Sequence, residues 1–328
     1  MTREGTEDMK VLIGANPMGL EQAIPGLQRK YPHIEFDHCP SREETGDHIA
    51  DAEIYMGWLD REIFLAAQQL RWIQSPSSGI DYFLRIPELA ASEVLLTSAS
   101  GTHGACLAES TLGMILAFTR GIRDSILRQQ QHTWANREIR PKMVELSGST
   151  MGIIGFGAFG RTLARRARAF DMRVIAVDVQ PTNKPDAVSE LWGVERLPDL
   201  LRQSDYVVVA VPLTPDTEGM IGAEQIALMK PTAMLVGMSR GGIVDQEALA
   251  QALREERLAA AALDVCRPEP LPAEGELWDV ENLLITPHIA GGTQHEARNV
   301  LEIFTENLER YLKGDLPLRN QVDKQRGF

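Results

Sequence analysis

The chain has 328 residues, 44% of them hydrophobic, enough for two domains that each bury a core. Its 33 Lys and Arg stand against 46 Asp and Glu, a formal net charge of −13. That balance argues against a nucleic-acid or anionic-membrane partner, yet a few local cations can still hold a small anionic substrate. Cys39, Cys106 and Cys266 are too scattered for a disulfide framework or for metal-ligand spacing. With a polar N-terminal stretch and no run of about 18 apolar residues, the expectation is a cytoplasmic protein with no membrane span and no metal.

From residue 9 to about 98, short apolar runs alternate with helix-like segments, and residues 10–13, 33–36, 53–56, 71–75 and 94–97 read as strands of a parallel sheet. Gly14-Ala15-Asn16-Pro17-Met18-Gly19 has the wrong spacing for a dinucleotide fingerprint, so this α/β region is expected to bind substrate. Its turn Ser75-Pro76-Ser77-Ser78-Gly79-Ile80-Asp81 is either an anion-binding turn that presents backbone N–H groups or an ordinary solvated one. Trp58, after the third strand, reads equally as a pocket wall favouring small acids and as a core side chain.

Residues 105–128 form a helical pattern without an internal proline, suited to leaving one domain and entering the next. The polar, irregular segment 129–147 is long for a loop without a purpose, and a subunit contact is one such purpose. Trp134 within it is read as local core packing, with a partner subunit or the mouth of an active site as the alternatives.

The most informative stretch is 149–161. Apolar residues 151–154 supply a buried strand, Gly155, Gly157 and Gly160 fill the pattern G-x-G-x-x-G, and Phe159, Leu163, Ala167 and Phe170 recur at helical spacing opposite Arg161, Arg165, Arg166 and Arg168. The three glycines serve, in turn, a tight turn, close approach of the backbone to a pyrophosphate, and close packing of helix on sheet. The helix start at Ala158, Phe159 and Arg161 offers unpaired N–H groups and the positive end of the helix dipole to a phosphate. A second strand, 173–177, ends at Asp178, about 20 residues on, as expected for the acid that binds a ribose 2′-hydroxyl. Further strands at 206–211, 233–236, 260–265 and 283–285 complete a doubly wound sheet. Their tails, Val211-Pro212, Met238 to Gly241, Asp264 and Thr286 to His288, converge where open α/β sheets bind ligands. The final helical pattern, 293–312, is expected to return to the first domain.

A nicotinamide carries its own hydride, so the protein has to fix the substrate and manage one proton. Arg240, at a strand end before two glycines, has the planar fork to take a carboxylate and polarise the adjacent carbonyl. His288 follows the last strand in a Pro-His turn, and histidine suits reversible proton transfer near neutral pH. Glu269 can pair with it and orient the ring, while Asp264 can face the nicotinamide; the alternative for either carboxylate is a surface acid beside Pro268, Pro270 and Pro272.

The linked motifs are Gly155-x-Gly157-x-x-Gly160, Val211-Pro-Leu-Thr-Pro-Asp-Thr217, Ser239-Arg-Gly-Gly-Ile-Val-Asp245, Leu263-Asp-Val-Cys-Arg-Pro-Glu-Pro-Leu-Pro272 and Thr286-Pro-His-Ile-Ala-Gly291. In this order, from about Ser75 to the C-terminus, they resemble the D-isomer-specific 2-hydroxyacid dehydrogenase family, and the closing residues 321–328 resemble its glyoxylate/hydroxypyruvate reductase branch. The resemblance implies two doubly wound parallel-sheet domains with a cleft between them: a flavodoxin-like substrate domain, residues 1–104 and 294–328, and a Rossmann NAD-binding domain, residues 105–293. It implies Arg240, Glu269 and His288 as the catalytic set and Ser78, Gly79 and Arg240 as substrate contacts. The cofactor contacts would be Gly155, Gly157, Ala158, Phe159, Gly160, Arg161, Asp178, Val211, Pro212, Met238, Asp264 and His288, with NAD rather than NADP, in a homodimer. Gly237 departs from the asparagine usual before the arginine motif. Formate dehydrogenases carry glutamine where Glu269 stands, and phosphite dehydrogenases carry lysine where Ser78 stands, so neither activity is favoured. The C-terminal-binding proteins, NAD(H)-sensing co-repressor scaffolds with the same motifs, are the alternative from another class; the lack of a long disordered tail favours the enzyme.

Overall fold

The apolar runs become strands because nearly every residue in them is buried, as in a parallel sheet covered by helices on both faces. The computed structural model describes residues 9–327. The chain divides into two units, one made of residues up to Thr102 together with those from Thr293 on, the other of His103–Gly292.

The first unit is a five-stranded parallel sheet of order β2-β1-β3-β4-β5, with β1 Met9–Ile13, β2 Ile34–His38, β3 Ile54–Met56, β4 Trp72–Gln74 and β5 Leu95–Thr97. Val11 lies opposite Phe36 on one side and Ile54 on the other. Helix Glu296–Lys313 returns to this unit and buries Val300, Phe304 and Leu308 in its core. Phe304 and Tyr311 each stack on Trp72 with ring centroids 5.5 Å apart, contacts worth about 0.5–1.5 kcal/mol each beyond their buried area. Asn307, fully buried, donates to the Arg319 carbonyl at 3.0 Å and so ties the helix to the chain that follows it.

The second unit is a seven-stranded parallel sheet of order β12-β11-β10-β9-β6-β7-β8. Its strands are β6 Thr150–Ile154, β7 Arg173–Val177, β8 Glu190–Trp192, β9 Tyr206–Val209, β10 Met234–Gly237, β11 Ala260–Leu263 and β12 Leu283–Ile285. The winding reverses between β6 and β9, and at such a reversal doubly wound sheets open a crevice at the carboxyl ends of their strands. β8 escapes the sequence reading, since three residues with a charged first position carry no strand pattern.

Three expectations need correction. The single helix over 105–128 is two, Gly104–Thr119 and Ile122–Gln130, bent by 65°. Gly121, at φ 63°, makes the break in the left-handed region that glycine adopts freely. Trp134 is not packed locally but is 94% exposed, and Phe170 does not join Leu163 and Ala167 in the core. The segment 129–147 also contains a short helix, Asn136–Ile139, and a 3₁₀ turn, Arg140–Lys142. Among the described residues, no single helix is long and apolar enough to cross a membrane.

Candidate active site

At the β6–β9 reversal the three fingerprint glycines differ in what a side chain would meet. A Cβ on Gly155, which sits at φ +95°, would lie 2.8 Å from the Val211 nitrogen, and one on Gly160 would lie 2.5 Å from the Gly155 carbonyl oxygen. Backbone fills both places, so neither residue can carry a side chain. A Cβ on Gly157 would meet nothing within 4 Å. Gly157 is the N-cap of helix Ala158–Ala169, which has no side-chain cap, and the open space beside it leaves room for a pyrophosphate at the helix start. The cradle therefore fits a dinucleotide.

Asp178, at the end of β7, accepts from the Phe156 N–H at 2.6 Å through Oδ2 and from the Gln180 N–H at 2.8 Å through Oδ1. It thereby joins the glycine loop to the next turn, and each oxygen keeps a further lone pair for a ribose hydroxyl. Arg161 braces the same turn: its guanidinium donates to the Asn183 and Thr182 carbonyls at 2.8 and 3.0 Å and lies 4.8 Å from the centroid of the Phe156 ring. Across the crevice, Thr217 Oγ1 donates to the Pro212 carbonyl at 2.7 Å and steadies the Val211-Pro212 turn. Met238 is 3% exposed, so its side chain belongs to the core below the site.

β10, β11 and β12 are parallel neighbours, so the loops that carry Arg240, Glu269 and His288 leave the same end of the sheet side by side. The first two loops touch at Gly241, where a Cβ would stand 1.9 Å from the Cys266 carbonyl oxygen. The last two are joined by Glu269 and His288. Glu269 Oε1 accepts from the Cys266 N–H at 2.8 Å, and Oε2 lies 2.7 Å from His288 Nδ1. An ionised carboxylate only accepts, so Nδ1 carries the proton and Nε2 is the atom left for exchange. His288 is held at φ 53°, in the left-handed region, by its own N–H donating to the Asp264 carbonyl at 2.8 Å. Such strain costs of order 1–3 kcal/mol and persists where the surroundings over-determine it. Arg240 is half-buried and donates from Nη1 to the Ser239 carbonyl at 2.8 Å.

Asp264 is neither a surface acid nor turned outward, being 2% exposed. Its carboxylate accepts from Thr286 Oγ1 at 2.6 Å, from the Ile289 N–H at 3.0 Å and from the Ala290 N–H at 3.1 Å, and so shapes the loop that presents His288. Sequence reasoning missed this role and that of Thr286, because a carboxylate at a strand end gives no sign of which way it turns. It also missed Gln246, whose amide donates to the Arg267 carbonyl and accepts from the Arg267 N–H, fixing the start of the loop to Glu269. The one thiol nearby, Cys266, is pushed up to about 11 by burial and by the Glu269 and Asp264 carboxylates, which removes it as a nucleophile near neutral pH.

In the first unit, the Ser75–Asp81 turn is closed by its own hydroxyls. Ser77 Oγ donates to the Gly79 carbonyl at 2.8 Å, and Ser78 Oγ donates to the Ala99 carbonyl at 3.2 Å.

Comparison with known proteins agrees with this geometry. Residues 112–290 match the NAD binding domain of the D-isomer specific 2-hydroxyacid dehydrogenases. A glyoxylate reductase of Thermofilum pendens is 36% identical over 294 residues, 87% of this chain and 86% of that one. An NADPH-dependent glyoxylate/hydroxypyruvate reductase of Sinorhizobium meliloti, solved with NADP and sulfate, superposes with a TM-score of 0.85 at 25% identity, over 98% of this chain and all of that one. A D-isomer specific 2-hydroxyacid dehydrogenase family protein of Aeromonas salmonicida gives 0.85 at 26% identity, over 97% and 99% of the two chains. The chain belongs to the D-isomer specific 2-hydroxyacid dehydrogenase family and is an oxidoreductase that transfers hydride between a nicotinamide dinucleotide and a 2-keto or 2-hydroxy acid.

Proposed function

We propose that the protein reduces a small 2-keto acid of the glyoxylate or hydroxypyruvate type to the D-2-hydroxy acid with NADH, using Arg240, Glu269 and His288. The observation that carries this reading is the 2.7 Å Glu269–His288 pair, which engages Nδ1 and leaves Nε2 for the substrate. The bound nicotinamide supplies hydride to the carbonyl carbon. The chain's residues do the rest. The Ser78–Gly79 turn and the Arg240 fork hold the substrate carboxylate, Arg240 polarises the keto group, and His288 delivers the proton from Nε2 to the oxygen while Glu269 holds the imidazolium. On this reading the unit containing both chain ends binds substrate, and the His103–Gly292 unit binds the cofactor. Steady-state rates over glyoxylate, hydroxypyruvate and pyruvate test the proposal; it fails if none is turned over with either cofactor. A co-repressor-like scaffold would then be the better reading.

Asp178 supports NADH over NADPH, because the carboxylate that accepts from a ribose hydroxyl repels a 2′-phosphate. Lys184, the nearest lysine to follow, is engaged with the Val188 carbonyl at 3.0 Å. Relatives solved with NADP(H) make the comparison a sharp one. We expect kcat/KM for NADH to exceed that for NADPH about tenfold or more, equivalent to about 1.4 kcal/mol. Equal values would overturn the assignment.

A homodimer through the 105–147 region completes the proposal. Ile122, Ile126 and Leu127 on the second of the two helices, with Trp134 and Val144 beyond it, are exposed within one stretch of 23 residues, and such clustering marks a protein interface. Light scattering should give twice the 36.3 kDa chain mass. A fully active monomer at micromolar concentration would refute it.

A further inference from the structure

The first unit holds a cavity of about 460 Å³ whose lining includes Tyr82, the residue that follows the Ser75–Asp81 turn. Helix Asp81–Leu84, which the turn leads into, sends Tyr82 to its wall, and the Tyr82 hydroxyl lies 3.4 Å from Ser75 Oγ. The lining also includes Tyr55, which is 1% exposed. Its phenol occupies the space that a Cβ on Gly14 or Gly57 would need, at 2.1 and 2.8 Å, so both positions have to be glycine for the ring to lie there. The Tyr55 hydroxyl donates to the Trp58 carbonyl at 2.9 Å and fixes the loop on which Trp58 lines the cavity. Burial holds the Tyr55 phenol far above its ordinary range, so it remains a donor.

The charges around the cavity decide what it can take. Arg42, Arg61 and Arg85 all reach its lining, but each is paired with a carboxylate: Arg42 with Asp60, Arg61 with Glu88, and Arg85 with Asp81 at 3.6 Å. Each guanidinium already faces a carboxylate, which weakens its pull on a second anionic group, and the planar faces suit an aromatic ring. Size points the same way. A cavity of about 150 Å³ already accepts benzene, and glyoxylate has no side chain to put into one three times larger.

We propose that this cavity receives the bulky uncharged side chain, of the aryl class, of a 2-keto acid whose carboxylate sits at the Ser78–Gly79 turn, so that the substrate range extends beyond the two- and three-carbon acids. The proposal rests on the 2-keto acid reading above. Of the two equal sequence readings of Trp58, a pocket wall favouring small acids or a core side chain, it keeps the wall and drops the preference for small acids.

The test compares NADH-dependent reduction of glyoxylate, phenylpyruvate and 2-ketoglutarate. Phenylpyruvate should be reduced with a kcat/KM no lower than that of glyoxylate, and 2-ketoglutarate at least tenfold less well. Ala15→Trp fills the cavity from the β1 side and should lower kcat/KM for phenylpyruvate at least tenfold while glyoxylate changes less than twofold. Trp58→Ala should weaken phenylpyruvate severalfold through lost stacking. Efficient glyoxylate reduction with phenylpyruvate 100-fold worse, or a preference for 2-ketoglutarate, would overturn the proposal. If no keto acid is reduced, the functional reading fails separately, and calorimetric titration with phenyllactate decides this one: binding lost in Ala15→Trp supports the cavity, and no binding to the unmodified protein refutes it.

Discussion

His288→Ala is expected to lower kcat for 2-keto acid reduction by about 10²-fold or more, the usual worth of a general acid, with NADH affinity close to that of the unmodified enzyme. Cofactor binding is largely kept because its phosphate and ribose contacts fall to the glycine loop after β6 and to Asp178 after β7, whereas His288 follows β12 at the edge of the sheet. The pH profile separates a proton donor from a merely structural histidine. Reduction consumes the proton that His288 delivers, so its rate should fall and oxidation of the hydroxy acid should strengthen as pH rises. Glu269→Gln keeps the shape and can still accept from Nδ1, but it removes the negative charge beside the ring that receives and gives up the proton, so kcat for reduction should fall. Near-normal reduction by His288→Ala with an unchanged profile would place the proton source elsewhere.

Arg240→Lys should raise KM for the keto acid and lower kcat, with kcat/KM down about 10- to 100-fold. That range corresponds to a charged hydrogen bond worth about 1.5–3 kcal/mol. Lysine keeps the charge but loses the fork that binds a carboxylate through two parallel bonds. Gly241→Ala reaches the same loop by another route. Its Cβ would fall 1.9 Å from the Cys266 oxygen, a backbone atom with no flexible side chain to yield, so the Arg240 loop and the Glu269 loop have to separate. Loss of activity there with Arg240 intact, and with the protein still folded by circular dichroism, would show that the contact between loops sets the guanidinium's place. Full activity in Arg240→Lys would remove Arg240 from the catalytic set.

The strands and their doubly wound parallel arrangement can be read from residue patterns, for physical reasons that also explain the failures. A strand buried on both faces is a continuous apolar run, as in Tyr206–Val209 and Ala260–Leu263, and such a run is visible without any partner. Edge strand β8 is half-covered and mixed, so nothing marks it. The constraints on Gly155 and Gly160 are legible because they are local backbone contacts. Gly121 gives no such sign, because a single glycine in a helical pattern is often tolerated, and only its left-handed φ reveals the bend. The pairing of Glu269 with His288 is legible because two motifs end adjacent strands. The inward turn of Asp264 and the clamp of Gln246 on Arg267 are not, since both depend on side-chain direction within loops.

The return of helix Glu296–Lys313 to the first sheet has a consequence for biosynthesis. Trp72, on β4, is covered by Phe304 and Tyr311, which are translated more than 200 residues later. As the chain leaves the ribosome, strands β1 to β5 can pair and Leu20, Leu27 and Tyr31 can cover part of the apolar face around Trp72, but the part that Val300, Phe304, Leu308 and Tyr311 cover stays wet until the last helix is made. The His103–Gly292 unit is continuous in sequence and can close first. The nascent protein therefore carries a sticky half-sheet throughout the synthesis of the His103–Gly292 unit, the kind of species that chaperones shield.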